Sequence, residues 1–317
     1  MTGWILSRAL TISQLRVFTA VAEHGSIRAA SRALGIAQSG ITQQLQNLES
    51  MLGATLFTRT NRGIALTAIG QRMLQRAATI LGECARAEHE AQQLRGEYAG
   101  QVTFGMTTEP LIDAGAPVLT EFRERFPRVA AHMRTGTSRM MIQWIREGTL
   151  DFAVALVSKH TDTTDLSVTK LYPSDPVVVC RRGHPMAHAK SLAELTDCSW
   201  IATRSPNLTD DPQAHRLNDL FASHRLAPPR IVSTVEGLFE SLHLVSETDC
   251  LSLEAAVVTK RGPFARVLTT IDVRERVAAQ DVCVLQRAAA PLTPAAQELA
   301  TMIASYTRTV RARNRQA

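Results

Sequence analysis

Leu15, Phe18, Val21 and Ala22 recur at helical spacing. So do Ala29, Ala30, Ala33 and Leu34, and then Ile41, Leu45, Leu48 and Leu52. Gly35 falls between the second run and the third. Two helices joined by a short glycine turn predict a helix-turn-helix, whose first helix supports while the second lies in the major groove of DNA. Leu56-Phe57, a turn at Asn61-Arg62-Gly63 and Ile64-Ala65-Leu66 then predict a two-stranded wing.

Thr67 is placed to cap a helix that runs to Gly96. Along it Met73, Ala77, Ile80, Cys84, Ala87, Ala91 and Leu94 alternate spacings of four and three. That heptad seam predicts a coiled coil with a second copy; the alternative is an amphipathic helix packed on its own domain. From Gln101 the pattern changes to strands at 102–105, 129–134 and 152–157, alternating with helices at 110–126 and about 138–147. A second set follows, with strands at 177–181, 200–203, 230–234 and 251–253. Its helices lie at 191–195, at about 213–224 and from Glu236 onward. A strand at 282–287 and a helix at 294–306 close the pattern. Two α/β lobes joined by strands predict a periplasmic-binding-protein-like sensor.

Charge sharpens this division. Residues 1–76 hold eight arginines against Glu23 and Glu49, so the head carries the whole surplus of +6; residues 77–317 balance at 27 basic and 27 acidic. A duplex of phosphates is the partner that such a footprint fits, and the alternative is a solvated arginine-rich face. The composition, 45% hydrophobic and 20% charged over 317 residues, is that of a soluble chain of two or three domains. No apolar run approaches the roughly 18 residues of a membrane span. The first ten residues lack the apolar core of a signal peptide and read as a flexible leader, so the expected location is cytoplasmic.

The head resembles the LysR-type transcriptional regulators. The likeness runs from Ala29-Ala30-Ser31-Arg32-Ala33-Leu34-Gly35 through Gln38, Thr42 and Leu45. It continues as Leu48-Glu49, Leu52-Gly53, Leu56-Phe57-Thr58-Arg59, Arg62, Leu66-Thr67 and Gly70. Where the family usually has Ser-Gln-Pro-Ala, this chain has Ala37-Gln38-Ser39-Gly40. Ala37 cannot cap a helix as serine would, so Ser39 either takes over the cap or offers its hydroxyl to DNA. The resemblance implies an N-terminal winged helix-turn-helix (residues 11–67), a long linker and dimerisation helix (68–96) and a C-terminal two-lobed α/β effector domain (101–307). Lobe I is then 101–172 with 276–307, and lobe II is 173–275. A basic tail at 308–317, rich in arginine and without apolar periodicity, is expected to be disordered, with a phosphate contact as its alternative. The implied partners are double-stranded promoter DNA, a small organic anion and further copies of the chain as a homo-dimer or homo-tetramer.

Candidate DNA contacts are Arg28, Arg32, Gln38, Ser39, Thr42, Gln43, Gln46, Arg59 and Arg62. Glutamine pairs with adenine, threonine reaches a base or a thymine methyl, and arginine holds phosphate. In α/β lobes ligands bind beyond the carboxyl ends of the strands. That rule selects Thr107 and Thr108, Thr137 and Ser138, Thr203 and Arg204, and Val235 and Glu236 as candidate effector residues. Each threonine is alternatively an N-cap, and Arg204 alternatively pairs with Asp210 or Asp211. Leu94-Arg95-Gly96, Val102-Thr103-Phe104, Gly148-Thr149-Leu150-Asp151-Phe152-Ala153 and Pro291-Leu292-Thr293-Pro294-Ala295-Ala296 are similar to regulators of aromatic acid and sulfonate degradation. His184, in Arg182-Gly183-His184-Pro185, reads as a turn residue.

Five dispersed cysteines (84, 180, 198, 250, 283) form no CxxC pair and read as free structural thiols, and no metal or cofactor is expected. GxSxG, HExxH, GxxxxGK[ST] and GxGxxG are all absent, so no catalytic residue is assigned. The competing functions are a small-molecule binding protein without a DNA role and a two-lobed enzyme.

Overall fold

Thr11 opens the first helix with a reciprocal cap: its hydroxyl accepts from the Gln14 N–H at 3.2 Å, and the Gln14 side chain accepts from the Thr11 N–H at 3.0 Å. In this computed structural model, residues 10–60, 63–94, 98–158, 161–174, 176–203, 212–235, 237–277 and 280–316 are described. The chain divides into two compact units, one of residues up to Ala91 with Glu147–Thr149 and one of Gln92–Arg146 with Leu150 onward.

The first unit holds α1 (Ile12–His24), α2 (Ile27–Leu34), α3 (Gln38–Leu52) and an antiparallel wing of β1 (Phe57–Thr60) and β2 (Gly63–Leu66). Gly35 ends α2 at φ 67°, a left-handed conformation that costs glycine nothing. Leu15, Phe18, Val21, Ala30, Ile41, Leu48 and Leu56 are buried together. The Glu49 carboxylate accepts from the N–H groups of Leu56 at 2.7 Å and Phe57 at 3.3 Å, tying α3 to the wing. One of the head's two acids is thus spent on its own backbone. Ala37 makes no side-chain cap, and Ser39 lies within the first turn of α3 rather than before it. The expectation that Ser39 takes over the cap is therefore corrected.

Helix α4 (Ala68–Leu94) starts where Thr67 accepts from the Gly70 N–H at 3.0 Å. A Cβ on Gly70 would lie 2.1 Å from the Leu56 carbonyl oxygen, so only glycine lets the helix pass there. The predicted seam divides in two. Ala77 is fully buried, and Met73 and Ile80 pack with it on the helix-turn-helix core. Cys84 is half-buried, and Ala87 and Ala91 are exposed. The first half of the heptad pattern records packing within the head, because the same spacing serves an intramolecular face as well as a coiled coil.

In the second unit one sheet has the order β4-β3-β5-β12-β6. Its strands are β3 (Gly100–Met106), β4 (Val129–Arg134), β5 (Phe152–Val157), β6 (Leu166–Ser174) and β12 (Gln280–Arg287). The strand β3 runs parallel to β4 and β5, whereas β12 is antiparallel to β5 and β6. Central β5 buries Phe152 to Ala155 without interruption, and Phe104 stacks on Phe152 at 5.5 Å. The helices of this lobe are α5 (Thr108–Pro110), α6 (Ala116–Arg125), α7 (Ser138–Arg146) and α11 (Pro294–Gln316). A π-turn at Leu111–Gly115 joins α5 to α6, so the expected single helix at 110–126 starts earlier and changes pitch.

The other sheet has the order β11-β7-β10-β8-β9. It comprises β7 (Pro176–Arg181), β8 (Ser199–Thr203), β9 (Arg230–Val235), β10 (Cys250–Ala255) and β11 (Leu268–Ile271), flanked by α8 (Pro212–Ser223), α9 (Leu238–Glu247) and α10 (Val257–Lys260). Trp200 meets Phe221 edge-on at 5.5 Å in its core. His184 is a buried turn residue: its Nδ1 accepts from the Met186 N–H at 3.0 Å and its Nε2 lies 3.1 Å from the Asp249 carbonyl. The strands β6 and β11 have no counterpart in the sequence reading. Ser167 to Lys170 of β6 are all exposed, Val168 included, so that strand shows no alternation of apolar and polar faces.

The expected disordered tail is also corrected, because α11 continues through residues 308–316 as helix. Thr307 is fully buried, and the Arg311 guanidinium reaches Glu109 and lies 2.9 Å from Asp113 Oδ2. It also stacks 4.2 Å above the Tyr172 ring. These contacts hold the chain in helix where composition alone favours solvent. Arg311→Met should destabilise the second unit by about 3–5 kcal/mol, since it leaves buried Glu109 without its cation and Asp113 with only the longer contact to Arg261. Urea unfolding followed by tryptophan fluorescence measures this. The variant should recover stability as pH falls and buried Glu109 takes up a proton. An unchanged midpoint at neutral pH would show that the helix end is not anchored here.

Candidate functional site

The head presents α3 outward. Gln38, Ser39, Gln43 and Gln46 are exposed, as are Arg28 and Arg32 on α2. Thr42 is half-buried, and its hydroxyl donates to the Gln38 carbonyl at 2.9 Å, which leaves its methyl and an oxygen lone pair to face a partner. The Gln43 amide donates to Asn47 Oδ1 at 3.0 Å. Arg59 belongs to β1, and Arg62 lies outside the described residues. Gln38 and Thr42 stand one helical turn apart at the start of α3.

A cavity of about 650 Å³ opens between the two lobes of the second unit. Its wall includes Thr107 and Thr108 beyond β3, Thr137 before α7 and Thr203 at the end of β8. Ser138 is buried in the first turn of α7 and does not line the cavity. Val235 packs against the core cluster that includes Ile201 and Leu242 and does not line it either. Neither belongs to this wall, because a side chain beyond a strand end faces the cleft or the core according to register. Arg204 and Glu236 lie outside the described residues. Thr137 serves as an N-cap, accepting from the Met140 N–H at 3.3 Å. Thr107 makes no cap, and its hydroxyl lies 3.4 Å from the Val154 carbonyl. Thr203 Oγ1 is buried without a partner.

Four charged residues that line the cavity were not legible as site residues. Glu109, in α5, is buried and accepts from the Ser174 hydroxyl and from Arg311. Burial raises its pKa above the ordinary carboxylate range against those two partners. Glu254, in β10, accepts from the Ser241 hydroxyl at 3.2 Å. Burial pushes its carboxyl up to about 8, while that hydroxyl and the Arg216 charge pull the other way. Glu240 is exposed on α9. Arg216, in α8, has Nε and Nη2 buried with no hydrogen-bond partner. Asp113 sits behind Glu109, and its Oδ1 lies 3.8 Å from Arg261, a pair that joins the two lobes. On α8, Arg216 and buried Leu217 are adjacent, so in sequence the arginine reads as the solvated side of an amphipathic helix.

Among the described residues no cluster of three His, Cys, Asp or Glu could hold a metal. No described helix is long and apolar enough to cross a membrane. The five cysteines are free, and burial pushes the Cys180 and Cys283 thiols up to about 11, away from reactivity.

Residues 95–308 match the LysR substrate binding domain, and residues 12–71 match the bacterial regulatory helix-turn-helix protein, lysR family. The HTH-type transcriptional regulator GbpR of Azospirillum brasilense is 27% identical over 298 residues, covering 93% of this chain and 86% of GbpR. The crystal structure of CbnR, a LysR family transcriptional regulator, shares the fold at a TM-score of 0.68 and 22% identity, over 94% of this chain and 99% of CbnR. Full-length CbnR complexed with its target DNA gives 0.67 at 21% identity, over 95% of this chain and all of that one.

The raised Glu254 pKa has a definite sign. Between the ordinary carboxylate value and about 8 the folded state holds a proton that the unfolded state has lost, so stability falls as pH rises through that window. Glu254→Gln should flatten this part of the stability–pH curve, measured by urea denaturation from pH 5 to pH 9. A wild-type curve that the substitution leaves unchanged would place the Glu254 pKa near its ordinary value.

Proposed function

The chain belongs to the LysR family of DNA-binding transcriptional regulators, which are not enzymes, and from that premise we propose how its parts divide the work. Gln38 and Thr42 read base edges from α3 in the major groove. Arg28, Arg32, Arg59 and Arg62 hold phosphate, and Ser39, Gln43 and Gln46 lie along the same helix to fix its register. The observation that supports this reading is the coincidence of the head's surplus of +6 with the exposed glutamines of α3. The protein acts in the cytoplasm as a homo-dimer or homo-tetramer, with Ala87 and Ala91 on the part of α4 left free for a second copy. Two heads then meet the half-sites of a palindromic operator.

The cavity between the lobes is the effector site, and the effector is a small organic anion. Thr107, Thr137 and Thr203 supply hydroxyl groups from both lobes, and Thr108 stands at the same strand end. A ligand that spans the cleft shifts the regulator by binding one arrangement of the lobes better than another.

Two measurements test this division. Gln38→Ala should cost about 1–3 kcal/mol at one base pair and relax sequence preference, as read by mobility shift on operator and scrambled duplexes. Equal losses on both duplexes would remove Gln38 from base reading. Thr107→Val keeps the side-chain shape, removes the hydroxyl and should abolish the effector response of a reporter promoter while effector-free DNA binding stays nearly intact. A wild-type response in both Thr107→Val and Thr137→Val would move the effector site elsewhere.

A further inference from the structure

The lobes of the second unit contain two half-buried arginines in opposite circumstances. Arg311 is surrounded by Glu109, Asp113 and the Tyr172 ring. Arg216 has no hydrogen-bond or ion-pair partner among the described residues, although its Nε and Nη2 are fully removed from solvent. It is also the one basic residue among those described in the cavity wall. Burial opposes its charge, the nearby Glu254 and Glu109 offset that only in part, and the residue lines the cavity.

We propose that Arg216 is the counter-ion of the effector, pairing with the single acid group of a small organic monoanion whose apolar body lies against Phe239 and Phe264. This deepens the reading of the cavity as the effector site and rests on it. Phe239 lines the cavity at 66% exposure, with the His243 ring stacked 6.3 Å away and Phe264 edge-on at 5.4 Å, so an apolar surface remains open to a flat group. The other charged groups narrow the ligand class. Glu109 is engaged by Ser174 and Arg311, Asp113 by Arg311 and Arg261, and Glu240 lies exposed on α9. Glu254 faces Ser241 and Arg216 and is protonated at neutral pH, so it donates to an anion beside Arg216 instead of competing for the guanidinium. A second negative charge on the ligand would meet Glu109 and Glu240 with no further base to balance it. Above pH 8 the ionised Glu254 takes over Arg216 and repels the ligand, so binding is coupled to one proton.

Calorimetry on the full-length protein, with benzoate as the probe and methyl benzoate and phthalate as its neutral and dianionic counterparts, tests the assignment. Benzoate should bind about tenfold or more tightly than either counterpart, and Arg216→Leu should lose about tenfold or more of that affinity. Arg216→Leu should melt no lower than the wild type, because it removes an uncompensated charge. Arg216→Lys, which restores charge without the fork, should recover part of the binding. Benzoate affinity should fall up to about tenfold per pH unit above pH 8 and become independent of pH in Glu254→Gln. Equal behaviour of benzoate and methyl benzoate in the wild type overturns the anion assignment. Ala202→Trp, which fills the cavity, separates the remaining outcomes. Binding lost in Ala202→Trp but kept in Arg216→Leu overturns the role of Arg216 and leaves the cavity as the effector site. Binding kept in Ala202→Trp overturns both.

Discussion

One guanidinium fastens the effector domain together. Arg311, near the end of the last helix, reaches Glu109 and Asp113 across the start of a helical run that begins at the cavity wall, and it covers Tyr172 on β6. Three elements distant in sequence therefore share one cation, and two carboxylates that would otherwise resist burial become tolerable. The π-turn at Leu111–Gly115 places Asp113 and Glu109 on the same side, where a single arginine serves both. The lobe I wall of the cavity, including Thr107 and Thr108, is built on this junction.

The contrast with Arg216 gives that junction its meaning. Burial opposes the charge on both arginines, but among the described residues only Arg311 has ion-pair partners; at Arg216 the more distant Glu254 and Glu109 offset the effect of burial only in part. Internal compensation makes a support, since the charges are satisfied whatever the cavity contains. A cation without an ion-pair partner in a cavity wall, as Arg216 is among the described residues, is on the proposed reading completed by a ligand or by an ionised Glu254. On the proposed reading, the protonation of Glu254 decides whether Arg216 faces a neutral acid or a carboxylate.

The head was legible because every signal there is local. Apolar spacing gives the helices, Gly35 the turn, and the arginines the partner. The seam on α4 was ambiguous for a physical reason: a heptad pattern records a buried face without saying which chain buries it, and Ala77 turns to the head. The tail was misread because an arginine count outweighed spacing. Ile303, Thr307 and Arg311 stand four apart, and the first two are buried, so a buried stripe does run to the anchor. In the cavity, Thr107, Thr137 and Thr203 followed from the rule that ligands sit beyond strand ends. Arg216 and Glu254 could not, because a charge inside an amphipathic helix or strand carries no mark of the cleft it faces.

The placement of these groups on opposite lobes sets what a ligand can accomplish. Thr107 and Thr137 belong to one sheet's helices and loops, Thr203 and Arg216 to the other's. A small molecule touching only Arg216 would be bound without preferring any arrangement of the lobes, and equal affinity for two arrangements shifts nothing however tight the binding. On the proposed reading, an anion held by Arg216 while its other oxygen reaches Thr107 would gain the second contact only where the lobes approach. That differential contact, not the ion pair itself, is the free energy available for switching. A cation on one lobe and hydroxyl groups on the other are therefore a suitable division: the charge supplies affinity, and the neutral hydrogen bonds across the cleft supply the preference between states.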